Sequence, residues 1–448
     1  MAGVLNQKRS FDGGFSCQSE THFPDRYRNL EEIFSRSDRS YSLLGAGLSY
    51  TAAGFGSHSD SVSLKDFDRI LSFDSQAGEI EVEAGMSLGK LAQFTIPRGW
   101  LLAVQPGHPS ITVGGCLGAD VHGKNHAKDG TFKNQVLSFR LFHPDKGWIT
   151  ADRQTNLSLF DLTCGGYGLS GVVLSIKLRL TAACQKVRMQ HHSLASIFEL
   201  PKVLEELSAK SDLLYSWHDF SSAAKQGRGF VIQGVFEPNI ERSINTDPGS
   251  EFHFQPLRSI DRGTGLPNVY SNLFIKFLNM GYGHSMKRKI HKVTSENLFE
   301  STFPIAKKTI YFDLFGRAGF FEVQLIVPSD RFADFSKAVL AYLQKHSPVV
   351  TLGSAKIFKG QANFLRFSGE GICFGVNTPQ TESGRKLVEF LNGLASELKL
   401  KQNLIKNSTL TSEMVKSGYP DFEAFRTALN QWDSRRRFRS EMSERLAL

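Results

Sequence analysis

The chain has 448 residues, more than one ordinary hydrophobic core organises, so two domains are expected. Its hydrophobic share of 40% and charged share of 22% are those of a globular protein, and no run of roughly 18 uncharged apolar residues offers a membrane-spanning helix. The formal charge of +9 suits anionic lipid, a phosphorylated substrate or nucleic acid, but no RNP, helix-turn-helix or zinc pattern supports the last of these. Cys17, Cys116, Cys164, Cys184 and Cys373 are scattered without a CxxC pair, which argues against a zinc site or a disulfide framework. Residues 1–9 lack the apolar core of a secretory signal, so cytoplasmic residence is the expectation.

In chain order, residues 25–35 have the spacing of a short amphipathic helix, and 41–44 form an apolar strand running into Gly45-Ala46-Gly47. Period-two alternation predicts paired strands at 70–74 and 79–84 around a turn at 75–78. Ser87 is placed to cap a helix over 88–96, which Pro97-Arg98-Gly99 stops. A glycine-rich stretch covers 106–130. Strands are then expected at 136–143, 148–151 and 172–180, with a domain boundary near 181–183. The second half alternates strands (230–236, 309–312, 322–327) with helices (204–211, 331–344, 384–398), the texture of an α+β domain. Residues 260–290 are apolar and aromatic at the centre, then basic at Lys287, Arg288 and Lys289, and carry no assignment.

Two glycine runs carry the chemistry. Gly45-Ala46-Gly47-Leu48-Ser49-Tyr50 follows a strand, where glycines let backbone N–H groups approach a pyrophosphate. Tyr50 occupies the third glycine position of G-x-G-x-x-G, so the dinucleotide fingerprint fails. The second run holds Pro106-Gly107, Thr112-Val113-Gly114-Gly115, Gly118 and His122-Gly123 at close intervals. A large flat ligand with a diphosphate tail needs both walls free of side chains and N–H donors. A structural turn explains two of these glycines but not five.

The order strand–GxGxSY, PGxxxxTVGGxxxxDxHGKN and GGxGLxG resembles the FAD domain of the vanillyl-alcohol-oxidase superfamily. Within it, the likeness is to the branch that oxidises polyprenyl-phosphate-linked pentoses. It covers nearly the whole chain and is densest at 43–53, 105–136, 164–175 and 370–415. The resemblance implies an α+β, two-domain FAD-binding fold with an antiparallel-sheet substrate domain, divided as 1–183 (FAD-binding), 184–401 (substrate-binding) and 402–448 (a segment returning to the FAD domain).

By the same resemblance, Leu43, Leu44, Gly45, Ala46, Gly47, Leu48, Ser49 and Tyr50 hold the FAD pyrophosphate. Gly107, Thr112, Val113, Gly114, Gly115, Ala119, Asp120, Val121, His122, Gly123, Asn125, Val173 and Asn403 complete the cofactor site. Many relatives carry a histidine that binds flavin covalently where Leu48 stands, and Ser110-Ile111-Thr112 contains no cysteine, so noncovalent FAD is expected. Oxidising a secondary alcohol needs a proton acceptor beside the flavin. Lys406, in Asn403-Leu404-Ile405-Lys406-Asn407-Ser408, matches the family's active-site lysine. His122 is the alternative base or donor. Tyr50, Lys124, Trp217, Gln344, Lys356 and Cys373 match the substrate pocket, with no nucleophilic role for Cys373.

The chain departs from the family at Val323, where the family has a pocket tyrosine, and at Gly371, where it has an asparagine. The family's C-terminal Asp-Pro-x-Gly-x-Phe is here Asp433-Ser434-Arg435-Arg436-Arg437-Phe438. The implied activity is oxidation of a 2′-hydroxyl to a 2′-keto sugar, the first half of an epimerisation for arabinofuranose and cell-envelope glycan. A short-chain reductase would complete it, and a quinone or other acceptor would reoxidise the flavin. Peripheral contact at the inner membrane face suits the basic surface and the 260–290 stretch. The alternatives are an aldonolactone or free-sugar oxidase, and a flavin-binding protein without turnover.

Overall fold

The computed structural model describes residues 3–36, 38–183, 185–237, 254, 267–306 and 310–448. The first half builds two larger sheets, beside a two-stranded pairing of Trp100–Leu101 with Thr181–Ala182. One has the order Val4–Arg9, Ser16–His22, Asp60–Ser63, Tyr41–Leu44, with the last two pairings parallel. The other runs Ile70–Asp74, Glu79–Glu83, Val172–Arg179, Val136–His143, Gly147–Asp152 and is antiparallel throughout.

Alternation sets the second sheet's faces. Ile80 and Val82 are fully buried, while Glu79 and Glu81 reach toward solvent. The turn before them is closed by Asp74, whose Oδ1 accepts N–H groups from Gln76 and Ala77 at 2.8 and 2.9 Å. Ser87 caps the helix Leu88–Thr95 by accepting from the Lys90 N–H, and Gly99, at φ +79°, ends the turn that follows. Leu30, Val62, Leu88, Val113, Phe139 and Ile176 meet in the core that joins these elements.

The second half centres on one antiparallel sheet of eight strands. Its order is Thr294–Asn297, Lys186–Leu194, Gly229–Phe236, Leu213–His218, Leu352–Phe358, Gly371–Pro379, Phe320–Val327, Lys401–Gln402. One face is covered by the helices Leu200–Ser208, Phe332–His346 and Glu382–Glu397, which bury Leu204, Val323, Phe335, Phe374 and Leu391. The other face is turned toward the glycine loops. After Lys401–Gln402 the chain runs back to the first sheet: the Tyr50 N–H donates to the Ile405 carbonyl (3.1 Å) and the Tyr41 N–H to the Arg437 carbonyl (2.7 Å).

Two local expectations change, and one unassigned stretch gains a structure. Residues 310–312, expected as strand, open the short helix Ile310–Asp313, and Thr309 lies outside the described residues. Their apolar pattern serves an aromatic cluster in which Phe312 and Phe315 meet Phe11, Tyr50 and Phe320, so packing decides the local shape. The helix expected at 204–211 starts earlier, at Leu200, with Pro201 in its first turn. Of the unassigned stretch, 260–266 lies outside the described residues, and Asn272–Lys287 is a helix capped by Ser271.

Candidate functional site

The glycine loops and the exposed face of the large sheet enclose one cavity of about 940 Å³, at the upper end of the roughly 300–1,000 Å³ of cofactor and ligand sites. Its groove is built from main chain. Leu43 to Tyr50 form one wall, and Gly107, Thr112, Gly114, Gly115, Ala119, Asp120, Val121, His122 and Val173 line the rest. At Gly47 the backbone has φ +67° and a Cβ would stand in open space, so this loop curves around a void. Among the described residues, the N–H groups of Ala46, Gly47 and Leu48 donate no main-chain hydrogen bond.

The second glycine run differs from the sequence expectation in one respect. Its N–H groups are already used: Val113 donates to Met86 O and Gly114 to Ala84 O, both at 2.8 Å, and Gly115 donates to the Thr112 hydroxyl at 3.1 Å. This run offers a smooth surface, while the first loop offers donors. A flat ring system along Thr112–Val121 with an anionic tail at Ala46–Leu48 fits both properties, and FAD has that form.

The sheet face supplies side chains. Register pairs Glu322 with Asn377, Gln324 with Gly375, Lys356 with Cys373 and Trp217 with Ser354, so these residues share one face. Tyr215, Trp217 and Ile232 extend it as an apolar wall. The helix Asn272–Lys287 closes the far side with Ile275, Leu278, Asn279 and Tyr282, and the Tyr282 ring stands edge-on to Trp217 at 4.7 Å.

Where groove and sheet meet, charges gather. Lys406 Nζ lies 3.5 Å from Glu322 Oε1 and 3.3 Å from the centre of the Tyr50 ring. Burial lowers the Lys406 pKa below its ordinary value, and the Glu322 charge opposes that shift. Glu322 also accepts from Gln324 Nε2 (2.6 Å) and Asn377 Nδ2 (2.9 Å), while Asn403 Nδ2 donates to Gln324 Oε1 (2.8 Å). Lys356 Nζ donates to the Gly123 carbonyl (3.0 Å) and stands 3.2 Å from His122 Nδ1. Burial brings Lys356 to about 8. Burial, helped by the Lys356 charge, drives His122 well below its ordinary value, so the imidazole is neutral. His122 Nδ1 faces both Lys356 Nζ and the Gly123 carbonyl (3.3 Å), and the ring also meets the Gln324 side chain. Burial, helped by the Lys356 charge, brings Lys124 to about 7; its Nζ rests on the Thr302 carbonyl.

Lys406, His122, Tyr50, Lys124, Lys356, Trp217 and Asn403 are thus brought together. Others are not. Gln344 is exposed on the outer helix Phe332–His346, across the sheet from the cavity. The Val113 side chain is fully buried in the first core. Gly123 lies behind the groove, where a Cβ would meet Val104 at 3.2 Å. Asn125 is spent on structure: its Nδ2 donates to the carbonyls of Ser208 and Ser211 at 2.9 and 2.6 Å. Cys373 shares the sheet face but packs with Ile326, Phe358 and Phe367, and burial raises its thiol to about 12. Val323 points into the helix-covered core, and Tyr311 supplies a phenol to the cavity instead.

Glu322, Gln324 and Asn377 were not singled out in the sequence. Their signal is faint: polar residues two apart, breaking otherwise apolar strands at Phe320–Val327 and Gly371–Pro379.

Comparison with known proteins agrees with this geometry. A family model described as "FAD binding domain" matches residues 27–151. The chain is 26% identical over 413 residues to decaprenylphosphoryl-β-D-ribose oxidase of Mycolicibacterium smegmatis, covering 86% of this chain and 85% of that one. It is 35% identical over 163 residues to an uncharacterized protein of Streptomyces coelicolor, of which it spans 42%. It is 28% identical over 196 residues to the mitochondrial L-galactono-1,4-lactone dehydrogenase of Arabidopsis thaliana, of which it spans 32%. The chain carries an FAD-binding domain, is similar along most of its length to an FAD-linked oxidase, and is an FAD-dependent oxidoreductase acting on CH–OH donors.

Proposed function

We propose that the protein oxidises the 2′-hydroxyl of a polyprenyl-phosphate-linked pentose to a 2′-keto sugar, the first half of an epimerisation for arabinofuranose and cell-envelope glycan. The observation that carries this reading is the two-ended cavity. A polar end with Lys406, Glu322, Gln324 and His122 adjoins a chamber of Tyr215, Trp217, Ile232, Leu278 and Tyr282. A sugar on an apolar carrier needs both ends, and a free sugar needs only the first. The relative that matches along most of its length is named for such a substrate.

Bound flavin supplies the hydride acceptor. The chain's own groups hold and deprotonate the alcohol. Lys406, with its pKa lowered by burial, takes the hydroxyl proton, and Glu322 sets how readily it does so. The neutral His122 imidazole and Gln324 orient the sugar. Lys356, at about 8, is mostly protonated at neutral pH and gives the phosphate a positive field, to which Lys124, at about 7, adds in part. FAD is held without a covalent bond, since Leu48 lines the groove where relatives carry a histidine. Residues 1–183 form the cofactor domain, 184–401 the substrate domain, and 402–448 the returning segment. A short-chain reductase completes the epimerisation, and a quinone or similar acceptor reoxidises the flavin.

A second reading, an aldonolactone or free-sugar oxidase, draws on the likeness to the lactone dehydrogenase. Anaerobic mixing separates the two. Bleaching of the flavin by a lipid-linked pentose, with little response to free sugars or aldonolactones, supports the first; the reverse pattern supports the second. A flavin that stays oxidised with every alcohol supports a binding protein without turnover.

A further inference from the structure

Among the described residues, exposed large apolar side chains are densest in one place. Val269, Leu273, Phe277, Leu278 and Met280 are each at least 40% exposed, and all lie on or just before the helix Asn272–Lys287. At 100° per residue, Leu273, Phe277 and Met280 fall in one stripe at spacings of four and three. Ile275, Asn279, Tyr282 and Met286 repeat the same spacing on the opposite side, where Ile275, Asn279 and Tyr282 line the cavity. The inner face is anchored: Asn279 Nδ2 donates to Asp219 Oδ1 at 2.9 Å. A helix with only its inner face to bury would carry polar residues outside. This one carries leucine, phenylalanine and methionine, exposed at 66%, 59% and 61%.

The charges that the helix itself carries beside the stripe are of one sign. Lys276 and Lys287 lie on one flank at the same helical pitch, and Arg288, just past the last turn, lies on the other. Lys292 follows, exposed, with Val293 at 62%. An apolar stripe between rows of cations is the pattern of a helix lying in the plane of an anionic lipid surface. Among the described residues no helix is long and apolar enough to cross a membrane, so contact at this face is interfacial.

We propose that the outer face of Asn272–Lys287 docks on an anionic bilayer, setting the cavity that this helix roofs against the lipid surface. The proposal deepens the lipid-linked-substrate reading and rests on it for its purpose, but the docking is measurable without any substrate.

The test uses the full-length, FAD-loaded protein and vesicles of phosphatidylglycerol with phosphatidylcholine, against phosphatidylcholine alone, in a flotation assay. Wild type should float with the anionic vesicles and respond to added salt. Leu273→Asn/Phe277→Asn/Met280→Asn and Lys276→Glu/Lys287→Glu should each weaken binding by at least about tenfold, with an unchanged flavin spectrum and melting temperature. Wild type that ignores vesicles, or variants that float as wild type does, would overturn the proposal. So would a wild-type dimer that the triple variant turns into monomer, because a second copy would then be what covers the face. Loss of flotation with intact bleaching by a short-chain, water-soluble phosphopentose sinks only the docking. Intact flotation with no response to any lipid-linked pentose sinks only the substrate reading.

Discussion

The glycine groove and the sheet-face chamber share one cavity but are made from different materials. The groove is main chain and small residues from segments close in sequence: Gly45, Ala46 and Gly47 in one loop, Thr112 to Val121 in another. The chamber is a sheet face whose side chains come from strands far apart, with Trp217, Glu322, Lys356 and Asn377 made neighbours only by register. Shape restricts the groove, so any added atom is felt. Charge and side-chain reach control the chamber, so changes there should alter rate and selectivity while leaving the cofactor bound.

That contrast orders the expected effects. The largest should follow a branched side chain in the groove. A Cβ on Gly115 meets only the Thr112 hydroxyl at 3.1 Å and otherwise points into the cavity. Gly115→Val should fold yet weaken FAD binding by about 100-fold, ~2.7 kcal/mol, read as visible absorbance after purification and reconstitution. A variant as yellow as wild type would break the shape argument.

Next comes Lys406→Met, which should keep the flavin while slowing its reduction by substrate on the order of 10²–10⁴-fold in stopped-flow. Loss of flavin instead would make Lys406 part of the groove.

Glu322→Gln should act mainly on pH. A base works when unprotonated, so the reduction rate should rise with pH through the Lys406 pKa, which burial lowers and Glu322 raises. Removing the carboxylate removes the raising influence, and the rising limb should move to lower pH. A limb that moves upward, or a rate that falls as pH rises, would show that Lys406 acts as a charged donor.

Trp217→Ala removes the ring against Tyr282 and Phe230. It should raise KM for a long-chain substrate by about tenfold, at 1.4 kcal/mol per decade, and leave a short-chain one nearly unchanged. Equal effects on both would move Trp217 from the carrier's path to the sugar's. The smallest effect belongs to Gln344→Ala: exposed on the outer helix, it should change neither KM nor kcat beyond error.

The same contrast explains what was legible in the sequence. The strand Tyr41–Leu44, the Ser87 cap and the glycine runs are local patterns, each fixed by neighbours within a few residues. Lys406 was found because its segment resembles a family motif. Glu322 and Gln324 escaped notice because a polar residue inside an apolar strand has no partner until register supplies one. Gln344 was misplaced for a related reason: a helix surface and a pocket lining look alike in sequence, and only the sheet decides which side faces the cavity. Asn125 sat within a recognised motif, yet its amide is committed to the carbonyls of Ser208 and Ser211. A motif marks a neighbourhood without assigning every side chain in it to the ligand.

Anaerobic titration of the purified FAD-loaded protein with a polyprenyl-phosphate pentose, monitored at the flavin's visible band, decides whether the cavity takes a lipid-linked sugar. We expect stoichiometric bleaching and formation of the 2′-keto sugar, both slowed on the order of 10²–10⁴-fold in Lys406→Met. A flavin that stays oxidised with this substrate but is reduced by a free sugar or an aldonolactone would contradict the claim.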